Sequence, residues 1–223
     1  MRPLRWAERC RKRRAVLTSA LRKALFDYHY RAVTLPRAER LERALASQVG
    51  DVESLLDVGC GDGNIARAVG KAVGAQRVEG IDVVPRPAPL IPVQMYDGLR
   101  IPHADRSFDA VTVVDVLHHC TDPAAVLREA LRVAKQRVVI KDHFAFGPVS
   151  RKILYLMDLP NFRDSVAVPG TYFEPDEWVR MVHEAGGQIE HLIWPMQINN
   201  LPFRWIARSE FQFLVRVTPA RSS

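Results

Sequence analysis

Apolar positions along this 223-residue chain switch between two periods. Near-continuous apolar runs alternate with segments in which apolar residues recur every three or four positions. The first run, Glu53 to Val58, leads directly into Gly-Cys-Gly-Asp-Gly at 59–63, and the spacing predicts a helix from Asn64 to Val73. A second strand is expected over Arg77 to Val83. Four prolines (Pro85, Pro87, Pro89, Pro92) then make the chain irregular before a third strand at Val93 to Tyr96. Ser107 to Leu117 is apolar apart from Asp109 and a few small or polar residues, the pattern of a strand buried on both faces. A helix over Pro123 to Ala134 and a strand over Arg137 to Lys141 complete the alternation. Strands and helices in this order imply βαβ units and a parallel sheet, an α/β fold.

Outside this region the pattern is less regular. Beyond His143 an amphipathic piece, Val149 to Met157, precedes a polar and aromatic stretch reaching Tyr172. A helix follows at Pro175 to Ala185, stopped by Gly186-Gly187, with strands expected at Gln188 to Trp194 and Glu210 to Val217. Before the core, Val16 to Tyr28 and Pro36 to Gln48 both have helical spacing, the second ended by Gly50. The chain therefore divides into a helical extension, 1–49, and a single domain, 50–218, with 144–173 as an insertion.

Charge sharpens this division. Residues 1–43 carry 13 Lys or Arg against 4 Asp or Glu, whereas the remainder is close to neutral. A basic amphipathic helix can lie on an anionic membrane surface or contact RNA phosphates, or can simply be solvated. No run of 18 apolar residues exists, which excludes a membrane-spanning helix on length. The absence of a signal-like N-terminus makes the expected location cytoplasmic, with surface association as an alternative. Cys10, Cys60 and Cys120 are too few and too scattered for a disulfide framework or a zinc site, so no metal is expected. The oligomeric state is not legible.

The glycine turn carries the chemistry. Gly59, Gly61 and Gly63 stand at alternate positions, so the sixth place of the dinucleotide fingerprint is Asn64, and the Gly-Lys-Ser/Thr of a P-loop is missing. Asp82 follows at the spacing of an acid that accepts both hydroxyls of a ribose. Asp97-Gly98 ends the third strand, where it can accept from an adenine amino group. Together these describe a site for an adenosine without a pyrophosphate.

With Ile101-Pro102, Asp105, Ser107-Phe108-Asp109 and Leu117-His118-His119, these motifs resemble the class I S-adenosylmethionine-dependent methyltransferases. The pattern is most similar to the branch of the ubiquinone and menaquinone biosynthesis enzymes, over residues 50 to 143. The resemblance implies a Rossmann-like, doubly wound sheet of seven strands, the last antiparallel, with S-adenosylmethionine across the carboxyl ends of the first, second and fourth strands. Gly59, Gly61 and Gly63 would admit the methionine moiety with Asp57 orienting the loop. Asp82 and Val83 would take the ribose, Asp97 and Gly98 the adenine, and Asp115 with Val116 would flank the methionyl part. Asp115 could instead be an acid paired with a local arginine.

Methyl displacement from a sulfonium requires alignment first, and a base only when the acceptor loses a proton. His119, His118 and His143 are the candidate bases, because an imidazole titrates near neutrality. Alternatively, one of the adjacent histidines packs internally and the other caps the helix beginning near Asp122. The expected acceptor is a small or amphipathic molecule, between Phe26, Tyr28 and Tyr30 on one side and 144–172 on the other. The alternatives are an RNA or a membrane-associated lipid or quinone as acceptor, and a non-catalytic module that only binds the cofactor.

Overall fold

The computed structural model describes residues 35–158, 170–198 and 208–220. The helix expected at Val16 to Tyr28, the aromatics Phe26, Tyr28 and Tyr30, and residues 159–169 lie outside the described residues.

Seven strands form one sheet: β1 (Ser54–Val58), β2 (Arg77–Asp82), β3 (Val93–Met95), β4 (Phe108–Val114), β5 (Ala134–His143), β6 (Gly187–Ile193) and β7 (Gln212–Pro219). Their spatial order is β3-β2-β1-β4-β5-β7-β6. The first five are mutually parallel, while β7 runs antiparallel to both β5 and β6. The sheet is thus doubly wound, with the order reversing at β1 and β4. The carboxyl ends around such a reversal are where open α/β sheets bind ligands.

Period-2 alternation sends neighbouring residues of each central strand to opposite faces. One face takes Leu55, Ala110, Val139 and Leu214, covered by α1 (Leu35–Val49) through Leu41, Leu45 and Val49 and by α2 (Asn64–Ala72) through Val69. The other takes Leu56, Val58, Val111, Val113, Val138 and Ile140. It is covered by α3 (Pro123–Val133) through Val126, Leu127 and Ala130, and by α5 (Pro175–Glu184) through Trp178, Met181 and Val182. Burial on both faces explains the near-continuous apolar runs of the strands. Helix α4 (Gly147–Asp158) lies after β5, buries Ser150 and Leu154, and leaves Val149, Ile153 and Leu156 exposed.

Strand β5 is longer than its apolar pattern suggests. It continues through Lys141-Asp142-His143 because β7 pairs with it there, opposite Leu214, Phe213 and Gln212. Three ionisable residues are thereby fixed at the carboxyl edge, beside the end of β4.

Candidate active site

The glycine turn follows β1 in the left-handed region: Gly59, Gly61 and Gly63 have φ of 70°, 58° and 79°. Side chains other than glycine are strained there. Two of the three also have no room for a Cβ, which would lie 2.4 Å from Val116 at Gly59 and 2.4 Å from Ile91 at Gly63. At Gly61 the space is open. The turn therefore presents bare backbone at its middle glycine and packs tightly at the other two.

Asp82, buried at the end of β2, secures this shape. Its Oδ2 accepts the Gly61 N–H at 2.7 Å, and its Oδ1 accepts the Val84 N–H at 2.8 Å. Each oxygen retains a lone pair for a further donor. Val83 is exposed, and a Cβ on Gly98 would lie 3.3 Å from it, so these two residues form an apolar shelf at the carboxyl end of β2 and β3. Exposed Asp97 accepts the Leu99 and Arg100 N–H groups, both at 2.8 Å, which hold its carboxyl below the usual range.

Asp57 does not meet the turn through any hydrogen bond observed. It accepts from the Thr112 hydroxyl at 2.7 Å, because the β1–β4 register sets these residues opposite one another. Burial is the largest influence on this group and raises its pKa to about 7, against the Thr112 hydrogen bond, which lowers it.

Asp115, just past β4, has a positive φ of 55°. In place of the alternative pairing with a local arginine, the partner is a lysine from the neighbouring strand: fully buried Lys141 of β5 donates to its carboxylate. The Asp115 N–H also donates to the Lys141 carbonyl at 2.8 Å. Val116 packs over Gly59, joining the end of β4 to the glycine turn.

The three candidate histidines converge on this edge. Leu117–His119 forms a short 3-10 turn after β4, and His143 ends β5. The His118 ring centroid lies 3.9 Å from that of His119 and 5.2 Å from that of His143. Neither member of the pair caps α3, whose N-terminus is capped by Asp122 accepting from the Ala125 N–H at 2.9 Å.

Their environments divide them into two kinds. His118 is buried, with Nδ1 donating to Asp142 Oδ1 at 2.5 Å and Nε2 lying 3.5 Å from Asp158 Oδ2. Burial opposes its charge, but the surrounding carboxylates of Asp142, Asp115 and Asp158 prevail, and its pKa is raised. Asp142 is correspondingly held far below the carboxylate range, burial notwithstanding, by His118. His119 is lowered, by burial first and then by the adjacent His118. Its Nδ1 has no hydrogen-bond partner among the described residues. His143 is lowered by burial and by Lys141, and its Nδ1 is likewise buried without a partner.

Donor atoms of His118, Asp142 and His143 all lie within 4.8 Å of one another, a set that divalent cations use elsewhere. Here the closest two share a proton in the 2.5 Å hydrogen bond.

Sequence reasoning placed the histidines but missed their partners. Lys141 reads in the sequence only as the last residue of the strand from Arg137, and the available signal was the unbroken ionisable triplet Lys141-Asp142-His143 closing an apolar run. Asp158 and Tyr172 had no signal, because their relation to His118 is made only by folding.

Residues 56–140 match the model of the family described as a methyltransferase domain. Two curated relatives fit this match. The ubiquinone/menaquinone biosynthesis C-methyltransferase of Desulfotalea psychrophila is 27% identical over 68% of this chain and 66% of its own length. The demethylmenaquinone methyltransferase of Halalkalibacterium halodurans is 33% identical over 44% and 46%. Over residues 56–140 the chain is therefore similar to a methyltransferase domain. The chain also shares its fold with solved structures of low identity. One is the geranyl diphosphate C-methyltransferase of Streptomyces coelicolor, solved with Mg2+, geranyl diphosphate and S-adenosyl-L-homocysteine. It has a TM-score of 0.62 at 13% identity and covers 81% of this chain and 78% of that one. The chain spans about half to two thirds of the two curated relatives' length.

Proposed function

We propose that the protein is an S-adenosylmethionine-dependent methyltransferase acting on a small or amphipathic organic acceptor. The observation that carries this reading is the bare-backbone turn at Gly61, tied by Asp82 to the end of β2. Around it the residues fit an adenosine. The remaining lone pairs of Asp82 suit a ribose diol, the Val83–Gly98 shelf suits the face of an adenine, and Asp97 offers a carboxylate at its edge. When bound, S-adenosylmethionine supplies an activated methyl group on a sulfonium.

The residues of the chain then have distinct tasks. The Gly59–Val116 contact fixes the turn against the end of β4, and the Lys141–Asp115 ion pair holds that end to β5. His119 is the general base in this reading, because it is kept neutral and the residue is only partly buried. His143 is the alternative base, lowered in the same way but enclosed between Asp115 and Asp142 at 3.5 Å each. His118 is unsuited to the task because both ring nitrogens face carboxylates.

A quinone-like or lipid-like acceptor is the second reading, favoured by the names of the two relatives and by exposed Val149, Ile153 and Leu156 on α4. No described helix is long and apolar enough to cross a membrane, so an anionic surface would be met through such a face or the basic segment before α1. An RNA acceptor would use that same basic segment.

The test is incubation with methyl-labelled S-adenosylmethionine and a metabolite extract, supplemented with phenols and reduced quinones, followed by mass analysis. The reading predicts one product heavier by a single methyl group, and His119→Ala should slow its formation by about 10²–10⁴-fold where the acceptor loses a proton. Binding of the cofactor without any transfer, to these acceptors or to RNA, would leave only a binding module.

A further inference from the structure

His118 joins four separated parts of the chain. Its Nδ1 meets Asp142 at the end of β5, and its Nε2 faces Asp158, the last residue of α4. The Tyr172 hydroxyl donates to that same Asp158 oxygen, and its ring stacks on His118 with centroids 5.4 Å apart and planes 21° from parallel. The His118 carbonyl accepts the Thr171 N–H at 3.2 Å.

We propose that Asp158 and Tyr172 are positioning residues for methyl transfer, which hold His118 as a charged, fixed ring against which His119 is kept free to accept a proton. The proposal rests on the reading of His119 as the base. A lone His118–Asp142 pair would leave Nε2 free to lose its proton and the ring free to turn about its hydrogen bond. Asp158 supplies the second carboxylate, and the Tyr172 hydroxyl fixes which way that carboxylate points. The stacked phenol ring then closes one face of the imidazole, while His119 occupies another side at 3.9 Å. A base with a cation at that distance stays deprotonated at neutral pH, as long as the cation persists.

The groups facing His118 are few enough to test. They are Asp142 and His143 from β5, Asp115 and His119 from the end of β4, Asp158 from α4, and Tyr172. Asp142 and Asp115 are themselves held low by the charges beside them, and Tyr172 is pushed up by burial and by Asp158, so none of these three changes charge in the range used.

The experiment follows the ring nitrogen resonances of His118 and His119 from pH 5 to 9 in the full chain, assigned with His118→Gln and His119→Gln. In the unaltered protein His118 should remain an imidazolium and His119 a neutral imidazole at pH 7. In Asp158→Asn the His118 proton should be lost at least one pH unit lower, a tenfold change in its retention. Tyr172→Phe should move it in the same direction by less. In turnover, Asp158→Asn should lower kcat and leave KM for S-adenosylmethionine unchanged, with Asp158→Glu restoring part of the loss. An unchanged His118 titration in Asp158→Asn, or a neutral His118 in the unaltered protein at pH 7, overturns the linkage. Full turnover in His119→Gln, with the His118 shift still present in Asp158→Asn, overturns the role of His119 instead.

Discussion

Asp57 shows how a single carboxyl group in this sheet ties stability to pH. It is buried on β1 with one observed side-chain donor, Thr112, and its pKa of about 7 in the fold exceeds the usual value of 3.8. The folded protein therefore favours the protonated acid. Its stabilising contribution is complete below about pH 4 and is lost as pH rises through about 7. Asp57→Asn keeps an acceptor for Thr112 and removes the titration. The midpoint of thermal unfolding should fall between pH 5 and 8 in the unaltered protein relative to Asp57→Asn, and parallel curves would refute the assignment. At this scale the sequence showed which residue types matter, because acids and glycines at fixed intervals are visible in one dimension. It did not show their partners: Thr112 on Asp57, Lys141 on Asp115 and Asp158 by His118 are each brought together from between 26 and 55 positions away.

The elements set these distances. Strand β2 passes beneath the glycine turn, and at Gly80 there is no room between them: a Cβ there would lie 2.4 Å from Cys60 Sγ and 2.8 Å from its Cβ. Cys60 and Gly59 both donate their N–H to the Ile81 carbonyl, so the turn is hydrogen-bonded to this strand as well as packed on it. Gly80→Ala must displace one or the other, at a cost of about 1–3 kcal/mol. Because the displacement falls on the turn, adenosine affinity should drop by more than stability alone requires. Equilibrium unfolding together with ligand titration checks this, and unaltered affinity would show that the turn does not depend on its approach to β2. Most elements were legible because strands buried on both faces and helices with one apolar stripe leave opposite periodicities. The exception is the end of β5, where three ionisable residues conceal a strand that pairing with β7 extends.

For the whole molecule, the doubly wound order brings the ends of β1, β2, β4 and β5 to one edge, which carries the glycine turn, Asp82 and the histidine cluster. The family resemblance anticipated the strand number and the antiparallel closure, both of which the sheet shows. The acceptor side was less legible. A methyl-donor site is built from short local motifs, whereas an acceptor pocket is assembled from distant apolar residues that also serve as core. On the proposed reading, the Gly61 turn and Asp82 form an adenosine site. Calorimetry of S-adenosylmethionine against the unaltered protein and Asp82→Ala measures it most directly, with circular dichroism confirming that both are folded. One site per chain is expected, with an affinity loss of at least tenfold in Asp82→Ala. The absence of binding to the folded, unaltered protein, or equal affinity in the two, would contradict it.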